Sequence, residues 1–226
     1  MAGPMQMYVY IHDAILRDVA EMETMARELN RDDPDEIAAL AQRYDLFHTL
    51  VKKHEQTEED VLFPAMNERI QFVAETYLYD HNDSDDHVFG AISEALDGLR
   101  RAGGNGERKE GARRLWRENA VMNEHMRLHI SKENELLLPH LEAEFDVAEQ
   151  AELAGAMAGM DKPQLMGQFV AWMYAGQTPQ DREGMIRFLQ AILPPEALAG
   201  LTGMLSGLGD AEWAEMERRI PELAGD

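Results

Sequence analysis

Cysteine is absent from the 226 residues of this chain. Its absence excludes disulfide frameworks, zinc sites built on thiolates, iron–sulfur clusters and catalysis by a cysteine nucleophile. Any metal site in this chain must therefore use imidazole nitrogens and carboxylate oxygens as its main ligands.

Basic residues and long apolar runs are scarce as well. The chain has 21 Lys and Arg against 43 Asp and Glu, so its formal net charge is −22. This charge repels phosphate backbones and anionic lipids, which argues against nucleic acid and membrane partners. Residues 1–10 do not resemble a secretory signal, and no segment is apolar enough to cross a bilayer. We therefore expect a cytoplasmic protein.

The residues that are present favour helices. A hydrophobic content of 45% can fill a core, and the apolar residues recur at helical spacing without convincing strand alternation. Capping and turn residues divide the first part of the chain into four predicted helices. They run from after Pro4 to about Asn30, from Pro34 to about Phe63, from a capping run at Asn82–Asp86 to a loop at Gly103–Gly106, and from about Glu107 onward. Pro64 should end or kink the second helix.

This pattern predicts an all-α protein with two parts. Residues 1–145 should form an up-and-down four-helix bundle, and residues 146–226 a C-terminal extension of short helices. The extension contains no histidine, and its apolar stripes must pack on the bundle or on another subunit. We expect it to be a cap, a lid over a pocket or the surface of a homodimer.

One short motif occurs twice. Histidine, three intervening residues and glutamate precede a proline in both copies, and the second copy follows the first by 75 residues. A histidine lies the same distance upstream of each copy. Six residues thus share one offset, since 87 − 12, 129 − 54 and 133 − 58 all equal 75: His12 with His87, His54 with His129, and Glu58 with Glu133.

The spacing within each motif suits metal binding. Residues four apart lie on one face of a helix, so His54 with Glu58 forms a two-pronged ligand, as does His129 with Glu133. Four histidines and two carboxylates in the core of a bundle suit two ions better than one. Mixed nitrogen and oxygen ligation favours iron, with a mixed iron–manganese centre as the second choice.

These paired helices resemble the hemerythrin-like (HHE cation-binding) family over roughly residues 8–145. The resemblance implies that the four histidines of the repeat are terminal iron ligands and that Glu58 and Glu133 bridge the two irons. Hemerythrins usually have a fifth histidine, and Asp83 stands at the matching position. Asp83, His125 or Glu55 could supply that ligand.

Other histidines and other motifs fit less well. His48, His81 and His140 lie off the repeat, and we expect surface or supporting roles for them. A zincin needs H-E-x-x-H, but Glu58 occupies the place of the second histidine after His54. Ferritin-like di-iron proteins need two E-x-x-H pairs, and this sequence has none.

The resemblance implies binding of dioxygen, nitric oxide or peroxide. An open position on a di-iron centre allows this chemistry without an organic substrate. One alternative is a di-iron oxidase or oxygenase whose substrate lies under the C-terminal extension. A second alternative is an iron- or oxygen-responsive interaction module, which would depend on metal for its fold.

Overall fold

Helices account for all the regular structure of the described chain. The computed structural model describes residues 4–159 and 163–223. Within those ranges there is no strand, which confirms the predicted all-α class. None of the described helices is long and apolar enough to span a membrane.

Four long helices form the first part of the chain, and three of them contain a turn of π-helix. The first is α1 (Gln6–Glu28). The second consists of α2 (Pro34–Thr57), a π turn (Glu58–Leu62) and α3 (Phe63–Arg69). The third consists of α4 (Glu75–Asp83), a π turn (Ser84–Phe89) and α5 (Gly90–Arg101). The fourth consists of α6 (Asn105–Lys132), a π turn (Glu133–Leu137) and α7 (Leu138–Glu144).

The start of α2 follows from its sequence. Asp33 caps the helix, because its carboxylate accepts hydrogen bonds from the backbone N–H groups of Asp35 and Glu36. Pro34 fits the first turn, where its missing N–H costs nothing. Pro64 does not end the second helix, which continues to Arg69 after its π turn.

Contacts at the two ends indicate the up-and-down arrangement. Arg31 donates to Asn105 and Arg108 pairs with Asp32, so the turn before α2 lies beside the turn before α6. Arg69 donates to the carbonyl of Glu144, so α3 and α7 end near each other. α5 packs along α6 and also against α2. Short turns between such helices produce antiparallel neighbours.

The third helix begins earlier than predicted. It starts at Glu75, and the polar run Asn82–Asp86 lies inside it instead of capping its N-terminus. The buried residues explain this difference. Tyr77, His81, Ser84 and Val88 follow one another at helical spacing and are all buried, so the core-facing stripe extends through the polar run.

The compact units divide the chain differently from the predicted boundary after residue 145. One unit covers Ile15–Leu153, and the other combines the described residues of Met1–Ala14 with those of Ala154–Asp226. The first turns of α8 (Val147–Gly159) belong to the first unit. Arg69 pairs there with Glu149 at 2.6 Å, and Gln150 donates to the carbonyl of Phe145.

The other unit contains four further α-helices and a short 3-10 turn. α9 (Pro163–Ala175) and α10 (Pro179–Ile192) are followed by α11 (Pro195–Ser206), α12 (Asp210–Arg219) and the turn Pro221–Leu223. Apolar side chains of these helices, including Val170, Met185, Ile186, Leu205 and Met216, are buried. The predicted C-terminal series of short helices is thus present.

Candidate metal centre

The first copy of the repeated motif is buried at the junction of α2 and its π turn. His54 is on the last turn of α2, and Glu58 is the first residue of the π turn. Both side chains are nearly inaccessible to solvent. His54 Nε2 lies 3.5 Å from Glu58 Oε1, so the spacing of four residues places the two ligand atoms together as predicted.

The second copy has the same geometry. His129 is on the last turn of α6, and Glu133 is the first residue of the following π turn. His129 Nε2 lies 3.3 Å from Glu133 Oε1, and both side chains are buried. The repeat in the sequence thus corresponds to a repeat of local structure, including the π turn that neither motif predicted.

Two groups of potential ligands share one residue. His12, His54, Glu58 and Glu133 each offer a ligand atom, and these atoms all lie within 4.8 Å of one another. His81, His129 and Glu133 form a second group by the same measure. Glu133 therefore belongs to both groups, as expected for a carboxylate between two ions.

Glu58 also faces both groups. Its Oε1 lies 3.5 Å from His54 Nε2, and its Oε2 lies 3.5 Å from His81 Nε2. Each oxygen of this carboxylate therefore faces a histidine of a different group. Such an arrangement suits a bridging carboxylate.

His87 lies outside this cluster, contrary to the prediction. Its side chain is 75% exposed, and its Nε2 is 3.9 Å from Asp83 Oδ1 on the outer side of the helix. The five residues between His81 and His87 explain the difference. They include the start of a π turn, and a displacement of six residues moves a side chain away from the original face.

His81 takes the place expected for His87. Its ring is buried, and its centroid lies 4.9 Å from that of His129 and 5.3 Å from that of Phe63. The sequence predicted a surface or supporting role for His81, whereas the structure buries it among the potential ligands. The spacing of Tyr77, His81, Ser84 and Val88 was the available signal, because it places His81 on the core-facing stripe of a helix.

The three additional candidates lie close by but have other neighbours. Glu55 is buried and pairs with Lys52 at 3.1 Å. His125 Nε2 lies 2.7 Å from the Ser84 hydroxyl, while its Nδ1 is 3.7 Å from Asp83. Among the described residues, neither ligand group includes any of these three.

The remaining two histidines are also placed outside the groups. His48 stacks on Tyr44, with ring centroids 5.7 Å apart, and lies 4.5 Å from the ring of Phe89. His140 is exposed on α7. A position outside the cluster is what the sequence predicted for both.

Two carboxylates outside the groups contact the imidazole rings. His129 Nδ1 lies 3.1 Å from Asp80 Oδ2, and His81 Nδ1 lies 2.9 Å from Glu59 Oε1. Lys132 forms an ion pair with the same oxygen of Asp80. Neither Asp80 nor Glu59 follows the 75-residue offset, so the repeat does not indicate them.

The pKa values of the two rings shift in opposite directions, although each contacting carboxylate favours the protonated ring. Burial alone would lower the pKa of His129, but Glu133 and Asp80 outweigh it and raise that pKa to about 10. Burial and the positive charge of His129 lower the pKa of His81. Burial would raise the pKa of Asp80, but hydrogen bonds from His129 and Lys132 lower it.

The donor set fits metal ions in the absence of thiolates. Several imidazoles and two carboxylates converge in the protein interior, where uncompensated carboxylates are costly. Divalent ions bound there would compensate both negative charges. The arrangement can therefore hold metal.

Comparison with known proteins leads to the same kind of site. The family model for the hemerythrin HHE cation-binding domain matches residues 5–141. The chain is 24% identical over 200 residues to zinc finger protein BRUTUS of Arabidopsis thaliana, and this match covers 87% of the present chain and 15% of BRUTUS. It is 22% identical over 194 residues to zinc finger protein BRUTUS-like At1g18910 of the same plant, and this match covers 86% of the present chain and 15% of that protein.

The chain thus spans about 15% of the length of the curated relatives it matches. No solved structure is significantly similar to it. The family match covers all members of the two ligand groups.

Proposed function

Because the chain belongs to the family of hemerythrin HHE cation-binding domains, we propose that it is a non-haem di-iron protein that binds and reacts with dioxygen, nitric oxide or peroxide. The observation that carries this proposal is the pair of overlapping ligand groups joined by Glu133. Two groups that share a carboxylate suit two adjacent ions, whereas a single ion would need only one of them.

Six residues would hold the two ions. His12 and His54 would serve one ion, and His81 and His129 the other. Glu58 and Glu133 would bridge, in agreement with the two histidines that face the oxygens of Glu58. This assignment keeps five residues of the 75-residue repeat and replaces His87 by His81.

The donor chemistry supports iron. Imidazole and carboxylate ligands suit iron, manganese and zinc, and among these iron best combines such ligands with redox chemistry. When bound, two ferrous ions would supply electrons to a small oxidant. We rank a di-iron centre first and an iron–manganese centre second.

The surrounding residues would restrict the access of water. Phe63 is buried and packs on the ring of His81, and Tyr8 packs on His12 with ring centroids 4.1 Å apart. Such an environment suits a small diatomic molecule, which needs few polar contacts. It also strengthens electrostatic interactions between the ions and the two carboxylates.

The test is the metal content of the purified protein together with its absorption spectrum. About two irons per chain are expected, with a new near-ultraviolet and visible band when the reduced protein meets oxygen. One zinc per chain, or an iron-loaded protein without response to oxygen, nitric oxide or peroxide, would reject the proposal.

Variants of the carboxylates test the bridging assignment separately. Glu58→Ala or Glu133→Ala should lower the metal content from about two ions to one or none, since a bridge serves both ions. Asp60→Ala, which removes an exposed carboxylate from the same π turn as Glu58, is the matched control and should leave loading unchanged. Two ions in both bridge variants would refute the assignment.

A further inference from the structure

We propose that Glu59 and Asp80 are positioning residues of the metal centre, each holding one histidine so that its Nε2 faces the metal ions. The inference rests on the proposed metal centre and concerns residues outside both ligand groups. Each carboxylate contacts the Nδ1 atom of one ring: Glu59 that of His81, and Asp80 that of His129.

The geometry around His129 determines which nitrogen faces the centre. Its Nδ1 lies 3.1 Å from Asp80 Oδ2, while its Nε2 lies 3.3 Å from Glu133 Oε1. An ionised carboxylate only accepts hydrogen bonds, so Nδ1 must carry a proton to bond with Asp80. In the neutral ring, the lone pair is then on Nε2, where a metal ion can bind it.

His81 repeats this arrangement with a different carboxylate. Its Nδ1 lies 2.9 Å from Glu59 Oε1, and its Nε2 lies 3.5 Å from Glu58 Oε2. Neighbouring residues thus have different tasks: Glu58 faces the ligand atoms, while Glu59 holds the far side of an imidazole. Asp80 and His81 are likewise adjacent on α4, but Asp80 holds a ring that belongs to α6.

The two carboxylates have different surroundings. Asp80 is largely enclosed, and Lys132 supplies a positive charge to the oxygen that also accepts from His129. The Glu59 side chain is 40% exposed, so water can solvate it without a cationic partner. Both can therefore remain hydrogen-bond acceptors while metal is bound.

The first test measures ferrous iron affinity without oxygen, by competition with a coloured chelator. Glu59→Ala and Asp80→Ala should each bind iron about 10- to 100-fold more weakly, the usual effect of removing a partner of a metal-bound histidine. Asp60→Ala is the control for Glu59→Ala, since Asp60 is the adjacent exposed carboxylate. Unchanged affinity in both test variants would overturn the inference.

Lys132→Met separates positioning from general stability. It removes the ion pair with Asp80 but leaves the hydrogen bond from His129 available. Its affinity should fall by less than about fivefold, as for a partly exposed ion pair. An effect as large as that of Asp80→Ala would mean that the ion pair, and not the contact with His129, is important.

The second test observes the Nδ1 protons directly by NMR of the zinc-loaded protein with nitrogen-15 histidine. Hydrogen bonds to the carboxylates should slow the exchange of these protons and make one signal visible for each ring. Glu59→Ala should remove only the His81 signal, and Asp80→Ala only the His129 signal. Asp80→Asn should restore the His129 signal through its amide oxygen. Signals that persist in both alanine variants would reject the inference even if affinity fell.

The wild-type protein distinguishes this failure from failure of the proposed function. If wild type binds neither iron nor zinc, the metal centre and the inference are both wrong. If wild type binds two ions and the alanine variants behave like wild type in both tests, only the positioning roles are wrong.

Discussion

At the scale of residues, the main difference between the predicted and the observed cluster concerns two histidines of the third helix. His87 obeys the 75-residue offset but is exposed, whereas His81 disobeys it but is buried between Phe63 and His129. Sequence position identifies a ligand only when both copies of a repeat keep the same register. The core-facing stripe of the third helix is the better guide to a ligand. A histidine on this stripe is buried, and its ring nitrogens then need polar partners in the core.

Substitution of these two histidines should have opposite results. His81→Ala should lower the metal content from about two ions toward one, because it removes a donor from the second ligand group. His87→Ala should leave the content unchanged, since that side chain is exposed. Elemental analysis of both purified variants checks this prediction, and equal metal loss in both would contradict it.

The metal-free protein should lose stability as pH rises through the titration of His129. Its folded pKa is about 10, while an unfolded histidine titrates near 6.5. Because the folded pKa is the higher one, the stabilisation is fully present below about pH 6.5 and disappears as pH approaches about 10.

Urea unfolding of the metal-free protein across this range measures the effect. Between about pH 6.5 and pH 10, the unfolding free energy of the His129→Gln variant should decrease less than that of wild type. The comparison removes contributions from lysines and tyrosines, which titrate in both proteins. Parallel curves for the two proteins would show that His129 is not protonated in the folded metal-free state.

At the scale of elements, the sequence predicts regular helices well and their irregularities poorly. The start of α2 was predictable, since Asp33 and Pro34 are local signals. The start of the third helix was not, because Asn82–Asp86 resembles a cap although tertiary packing continues the helix through it. Propensity is a weak guide wherever one side of a polar segment is buried.

The π turns could not be predicted from the spacing of the apolar residues. They begin at Glu58, Ser84 and Glu133, and each interrupts the regular hydrogen-bonding pattern of a long helix. Pro64 and Pro139 follow two of them at the same distance, but the third has no such proline. The spacing of the motif therefore predicted that His54 lies beside Glu58 and His129 beside Glu133, but it did not predict that His81 is buried in the cluster and His87 is exposed.

Removal of the cap on α2 should weaken the fold without disturbing the metal ligands. Asp33→Ala leaves two backbone N–H groups without their acceptor, so the free energy of unfolding should fall by about 1 kcal/mol. Asp45→Ala, an exposed position within α2, should change it by less than about 0.5 kcal/mol. Denaturant unfolding tests both, and equal effects would rule out a special role for the cap.

At the scale of the whole molecule, the fold has a large apolar core besides the metal cluster. Phe47, Leu50, Ile92, Leu115 and Met122 are all buried, and none of them belongs to the two ligand groups. Burial of such residues supplies most of the driving force for folding. We therefore expect helical structure to survive metal removal, with lower stability.

Metal removal tests this expectation. A ligand that binds only the folded state stabilises it by about 2.7 kcal/mol at a free concentration one hundred times its Kd. Chelator treatment should lower the Tm by several degrees while the circular dichroism spectrum at room temperature stays helical. Loss of the helical signal would favour the interaction module whose fold depends on metal. An unchanged Tm would indicate that the purified protein held no metal.

The π turns that begin at Glu58 and Glu133 have a consequence for the timing of metal exchange. π turns are exceptions to the regular hydrogen-bonding pattern of a helix, and each of these begins at a proposed ligand. The segments that open most easily would then be those that hold the two proposed bridging carboxylates. We expect the rate of metal release to follow the local opening of these turns, which amide hydrogen exchange would measure. The lifetime of the metal-loaded protein would then be a property of two short backbone segments.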